Sequence, residues 1–152
     1  MSKETVKIAH AGLVIAAAGI IEGKTFSVTV GKGEVIHLLA LNWYVNGVLA
    51  AGNNTWDIGL WKKPDSQPSS IFTDHTDLVY GLTTGKKFVA ESVPISEKGD
   101  FYFPQPFVLI RPPRMIARTS VTTSATIKMT IYYKIVKVSE AEMIKLMMKD
   151  HA

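Results

Sequence analysis

The chain contains no cysteine among its 152 residues. That absence excludes a disulfide framework, a thiol nucleophile, a zinc ribbon and an iron–sulfur site at once. Charge is scarce as well: Asp, Glu, Lys and Arg make up 20% of the chain, against about 25% in an ordinary globular domain. Arginine occurs only as Arg111, Arg114 and Arg118. Long apolar runs are missing too. The longest, 11–21, stops at Glu22 and falls short of the roughly 20 residues that cross a bilayer as a helix. Lys3, Lys7 and the alanines at 16–18 give this segment some likeness to a secretion signal, but Glu4 and His10 interrupt the pattern. An ordered N-terminal arm or strand over 1–22 is expected instead. Catalytic motifs are also absent. No serine lies in Gly-x-Ser-x-Gly, and the glycines at 81 and 85 are too close for a P-loop and read as a solvated hairpin loop.

What the chain does have is apolar bulk, 47% of its residues, and a formal charge of +4. At roughly 100 to 200 residues per domain, 1–152 is one domain with a real core. Turn signals come often, and the intervals between them are rich in Val, Ile, Thr, Tyr and Phe. Ile127, Met129, Ile131, Tyr133 and Ile135 alternate with Thr126, Lys128, Thr130, Tyr132 and Lys134. A strand points successive side chains to opposite faces, so this segment has one apolar and one wet face. Phe26, Val28 and Val30 alternate in the same way, up to the turn Gly31-Lys32-Gly33. The run 35–45 reads as a strand buried on both faces, stopped by the hairpin signal Asn46-Gly47. Trp56, Ile58 and Leu60 alternate with Asp57, Gly59 and Trp61, and 78–80, 87–93, 107–111 and 116–121 supply shorter strands.

One helix is marked, over 139–150. Ser139 and Glu142 form a capping box, and Lys145 and Lys149 suit the negative end of the helix dipole. Met143, Ile144, Leu146, Met147 and Met148 make a broad apolar side. A helix of about three turns is marginal alone, so it must pack on its own sheet or on a neighbour. About eight short antiparallel strands with one terminal helix predict an all-β sandwich of the jelly-roll kind.

Candidate sites are few. Asp74, His75 and Asp77 form the one compact polar group, a weak metal candidate without a calcium-loop pattern. His37, inside an apolar run, reads as a core histidine. Arg111, Arg114 and Arg118 could grip phosphate or carboxylate. Trp61, on the opposite phase from Trp56, reads as either an exposed functional ring or one buried between subunits. No cofactor, no metal and no small-molecule substrate are expected, and no enzymatic activity; a cupin-like site would need clustered imidazoles that the chain lacks.

Together, the apolar segment 9–21, the short strands with Pro-rich loops and the strand 126–138 followed by 139–149 resemble a single jelly-roll capsid protein of an icosahedral virus. The resemblance is architectural and covers most of the chain. It implies a self-assembling structural protein of the virion, partnered by its own copies and a second capsid protein, with non-specific contact to nucleic acid or an internal membrane. The expected interface residues are Leu13, Val14, Ile15, Ile20, Ile21, Trp61, Arg111, Arg114, Arg118, Met143, Ile144 and Met147. The competing expectation is a carbohydrate- or receptor-binding sandwich using Trp61 and the 74–77 loop.

Overall fold

Alternation along the chain becomes two layers. The computed structural model describes residues 5–15, 18–49, 52–68, 76–88, 93–120 and 125–150. Its elements are β1 (Lys7–Ile15), β2 (Glu22–Thr25), β3 (Glu34–Leu49), β4 (Gly52–Trp61), β5 (Leu78–Phe88), β6 (Val93–Leu109), β7 (Arg114–Thr119), β8 (Ala125–Lys137) and α1 (Glu140–Asp150). Sheet A has the order β1-β8-β3-β6 and sheet B the order β2-β7-β4-β5. Every pairing is antiparallel, and β1 meets β8, β2 meets β7, β3 meets β6 and β4 meets β5. The chain is thus a ribbon doubled on itself, whose successive rungs fall alternately in the two sheets. That connectivity is a jelly roll. Among the described residues no helix is long and apolar enough to cross a membrane.

The core lies between the sheets and follows the period of two. From β8, Ala125, Ile127, Met129, Ile131 and Tyr133 are buried, while Thr126, Lys128, Thr130, Tyr132 and Lys134 face out. From β4, Trp56, Ile58 and Leu60 are fully buried against them. On one side of the sandwich, β6 and β5 are the edge strands of their sheets. There Tyr80 packs on Phe101, Phe101 on Phe103 and Phe103 on Phe107, with ring centroids 5.0, 4.8 and 6.0 Å apart. This aromatic row bridges the two edge strands where backbone hydrogen bonds cannot. Burial raises the Tyr80 phenol above its ordinary value, and a hydrogen bond with Trp43 works against that shift.

The structure revises several expectations. Of the two forms expected for the N-terminal segment, arm or strand, the strand is found: Lys7–Ile15 is the edge strand β1, with Ala9, Ala11 and Ile15 in the core. Asn46-Gly47 makes no hairpin, because β3 runs through it, and Gly47 pairs with Ile95 on one side and Ala125 on the other. Two ladders of hydrogen bonds outweigh a local turn preference. The expected burial of β3 on both faces holds in part: Val35 and Ile36, on opposite faces, are both fully buried, while His37, Asn42 and Tyr44 on the outer face are half-buried. A bulge at Leu39 shifts the phase, so that Leu38 and Leu41 both point inward. The expected strand beyond Thr25 ends at Thr25. Its partner β7 begins at Arg114, behind Pro112 and Pro113, which have no N–H to donate; Phe26 N–H still reaches Pro113 O at 3.0 Å. Residues 81–87 are paired strand within β5, not a loop. Of the expected strand 87–93, Phe88 closes β5 and Val93 opens β6. The turn at Gly31-Lys32-Gly33 does form, with Gly33 at φ +74° and Glu34 N–H bonded to Gly31 O at 3.1 Å.

Candidate interaction surfaces

The three arginines are close in sequence but serve three places. Arg118 sends Nε and Nη2 to Asp57 Oδ2 at 2.8 and 2.6 Å, and Thr83 Oγ1 donates to Asp57 Oδ1 at 2.6 Å. Arg118, Asp57 and Thr83 are one cross-strand row on the outer face of sheet B. Arg114 ties β2 to the loop after β4, donating to Gly23 O and Thr25 Oγ1 at 3.0 Å each and to Pro64 O at 3.3 Å. Arg111 binds Asp150 at 2.8 Å, with Lys62 also 3.6 Å from that carboxylate. Each guanidinium therefore has an acceptor within its own chain. Arg118→Ala would strand the Asp57 carboxylate, whose side chain is only 12% exposed. The expected loss is about 2 kcal/mol, below the 3–5 kcal/mol of a fully buried pair. Urea unfolding measures it, and Arg118→Ala with Asp57→Ala should regain part of it.

Trp61 is not an exposed ring. It is 3% exposed and packs with Ile21, Ile116 and Leu78 on the outer side of sheet B. Gly59 makes room for this small cluster, since a Cβ there would lie 3.2 Å from both Ile116 Cγ1 and Leu78 Cδ1. No ring face is left for a sugar. Ile15 and Ile21 are likewise buried in their own chain, and Leu13 packs against the core, so none of these three is an exposed interface residue. Val14 and Ile20 stay exposed, at 66% and 56%.

Of the loop candidates, Asp77 is buried and sits 3.0 Å from Lys63 Nζ. Asp74 and His75 lie outside the described residues. Among the described residues no cluster of three or more His, Asp or Glu could hold a metal ion. His37 is no core residue but half-buried on the outer face of sheet A, in register with Lys134.

Helix α1 is capped as its sequence predicts. Glu142 N–H donates to Ser139 Oγ at 3.2 Å and Met143 N–H to Ser139 O at 2.9 Å. Its apolar side is split. Met143, Leu146 and Asp150, at helical spacing, are half-buried, and Leu146 shares a cleft with Pro106, Phe107, Val108 and Ile110. Ile144, Met147 and Met148, at i, i+3 and i+4, are 58%, 47% and 70% exposed. No residue of α1 is buried.

The outer face of sheet A carries a second pattern, invisible along any one strand. Pairing sets four residues side by side in each row. One row reads Tyr102, Ala40, Tyr132, Ile8; the next Asp100, Asn42, Thr130, His10; the next Lys98, Tyr44, Lys128, Gly12. Asn42 Nδ2 donates to the Tyr132 hydroxyl at 3.0 Å, and His10 Nδ1 is 2.8 Å from Thr130 Oγ1. Ala40, Asn42, Asp100, Tyr102 and Tyr132 line a shallow recess in this face. No protein-family model matches the chain, and no curated protein matches it in sequence.

Proposed function

We propose that this chain is a structural subunit that self-associates into a closed shell of the capsid kind. The observation that carries the reading is the Ile144, Met147 and Met148 stripe of α1. It turns large apolar side chains to solvent on a helix too short to be stable without packing. The jelly-roll connectivity supports it, because a sandwich with a terminal helix laid on its surface suits a repeated contact between copies. A helix docking on a different patch of its neighbour is a heterologous contact, and such contacts close into rings or shells when the rotation allows.

The polar half of the helix agrees with this. Asp150, bound by Arg111 and Lys62, anchors the C-terminal end to the body and fixes the direction in which the stripe points. The arginines thus shape the subunit instead of meeting the partner. The full chain is tested by light scattering over rising concentration, with electron microscopy of the same samples. Discrete closed particles are the expected result. A monomer that persists at millimolar concentration would overturn the reading.

A further inference from the structure

We propose that the outer face of sheet A binds single-stranded nucleic acid without reading its sequence. Such binding needs cations to meet phosphates and exposed rings to stack on bases, interleaved on one surface. Along single strands they meet only in part, as Lys128, Tyr132 and Lys134 on β8 and as Lys98 and Tyr102 on β6. Across the sheet they are adjacent: Tyr44 stands between Lys98 and Lys128 in one row, and Tyr102 and Tyr132 flank Ala40 two rows away. Rows are two residues apart along each strand, so Tyr44 lies about 14 Å from the tyrosine pair. Lys134, in register with His37, adds a third cation beyond that pair.

The rings are accessible in different degrees. Tyr102 is 74% exposed. Tyr44 and Tyr132 are half-buried, the latter held by Asn42 so that it reaches diagonally over β3. The charges are unequal. Among the described residues no carboxylate lies within salt-bridge distance of Lys98, Lys128 or Lys134, and Asp100 is the one acid in these rows. Asn42, Asn46, Thr126 and Thr130 fill the remaining positions with amides and hydroxyls suited to sugar and phosphate oxygens. Three lysines favour a polyanion over a neutral glycan, and three rings favour a strand with unpaired bases over a duplex, which hides the faces of its bases.

The test is fluorescence anisotropy of the full chain with a labelled oligothymidylate of roughly 20 nucleotides, longer than one binding site. Three phosphate contacts predict that log affinity falls against log salt with a slope of about −2. Lys98→Ala and Lys128→Ala should each reduce the slope by about 0.7. Tyr102→Ala should weaken binding roughly fivefold or more at fixed salt while leaving the slope unchanged. All three positions are exposed, so circular dichroism should report the same fold. Absence of binding at low salt overturns the proposal, as does binding that these substitutions leave intact. Equal affinity for a duplex overturns it too, as does capture by phosphatidylserine vesicles or by a glycan array in place of the oligonucleotide. A chain altered at Ile144 and Met148 should keep the same salt slope, so loss of assembly and loss of this binding are separate results.

Discussion

Ile144→Gln combined with Met148→Gln is expected to leave the chain folded and to abolish the assembly proposed for it. Both side chains lie in solvent in the single chain, 58% and 70% exposed, so the subunit loses little by their exchange. Glutamine is a good helix former, and the change adds no charge to the helix dipole. The interface loses much more. Burying a large apolar side chain contributes about 1.5–3 kcal/mol, and an amide forced into the same place brings polar atoms that need partners. Two such changes remove about 4 kcal/mol per contact, close to a thousandfold in association constant. Light scattering should show the particles replaced by a species of one or a few chains, with an unchanged thermal transition for the subunit. Removing the N-terminal segment would be a poor substitute for this experiment. Its residues 7–15 are a strand of sheet A with Ile15 in the core, so a truncation would unfold the subunit before testing the interface.

Gly99→Ala should be a damaging small change in the sandwich. Gly99 faces Trp43 across β3 and β6, and a Cβ there would come within 2.6 Å of the Trp43 indole. That ring is 8% exposed and hydrogen-bonded to Tyr80, so it has little freedom to retreat. Overpacking of this kind costs about 1–3 kcal/mol, visible as a lower urea midpoint. The sign of the effect in a second background tests the cause. With Trp43→Ala the obstruction is gone, and Gly99→Ala should then stabilise by about 0.4–1 kcal/mol through the unfolded chain. A Gly99→Ala penalty that persists in the Trp43→Ala background would mean that the ring is not its source.

Gly99 also shows why part of the fold was hidden in the sequence. The segment Glu97-Lys98-Gly99-Asp100 has the composition of a loop, yet it is the middle of β6. Lys98 and Asp100 are tolerated because they lie on the face turned to water, Glu97 on the opposite phase accepts from Thr84 Oγ1 at 2.8 Å, and the glycine is required by a ring from a distant strand. Pro104 and Pro106 fall where β6 departs from the ladder, opposite Leu39, and so cost no hydrogen bond there. Asn46-Gly47 misled in the opposite direction, as a turn sequence pulled straight by partners on both sides.

Trp61 is a similar case. Its phase was legible, outward from the sandwich, but outward did not mean exposed, because Ile21 and Ile116 cover it. Periodicity gives the direction of a side chain and says nothing of what arrives from elsewhere in the chain to meet it. The arginines behave in the same way, close in sequence and pointed at acceptors on β2, on β4 and at the end of α1.

By itself the sequence determined what depends on neighbours a few residues apart: the alternation of β8 and β4, the Ser139 cap, the amphipathic terminal helix and the all-β class. The absence of cysteine had the same local certainty, ruling out thiol chemistry before any fold was known. The tertiary structure decided what depends on pairing between distant segments. It turned the apolar segment near the N-terminus into an edge strand, buried Trp61, and placed Tyr44 between two lysines. Cross-strand neighbours lie about 5 Å apart in space however far apart they lie in the chain. A surface built from rows of such neighbours exists only once the register is set.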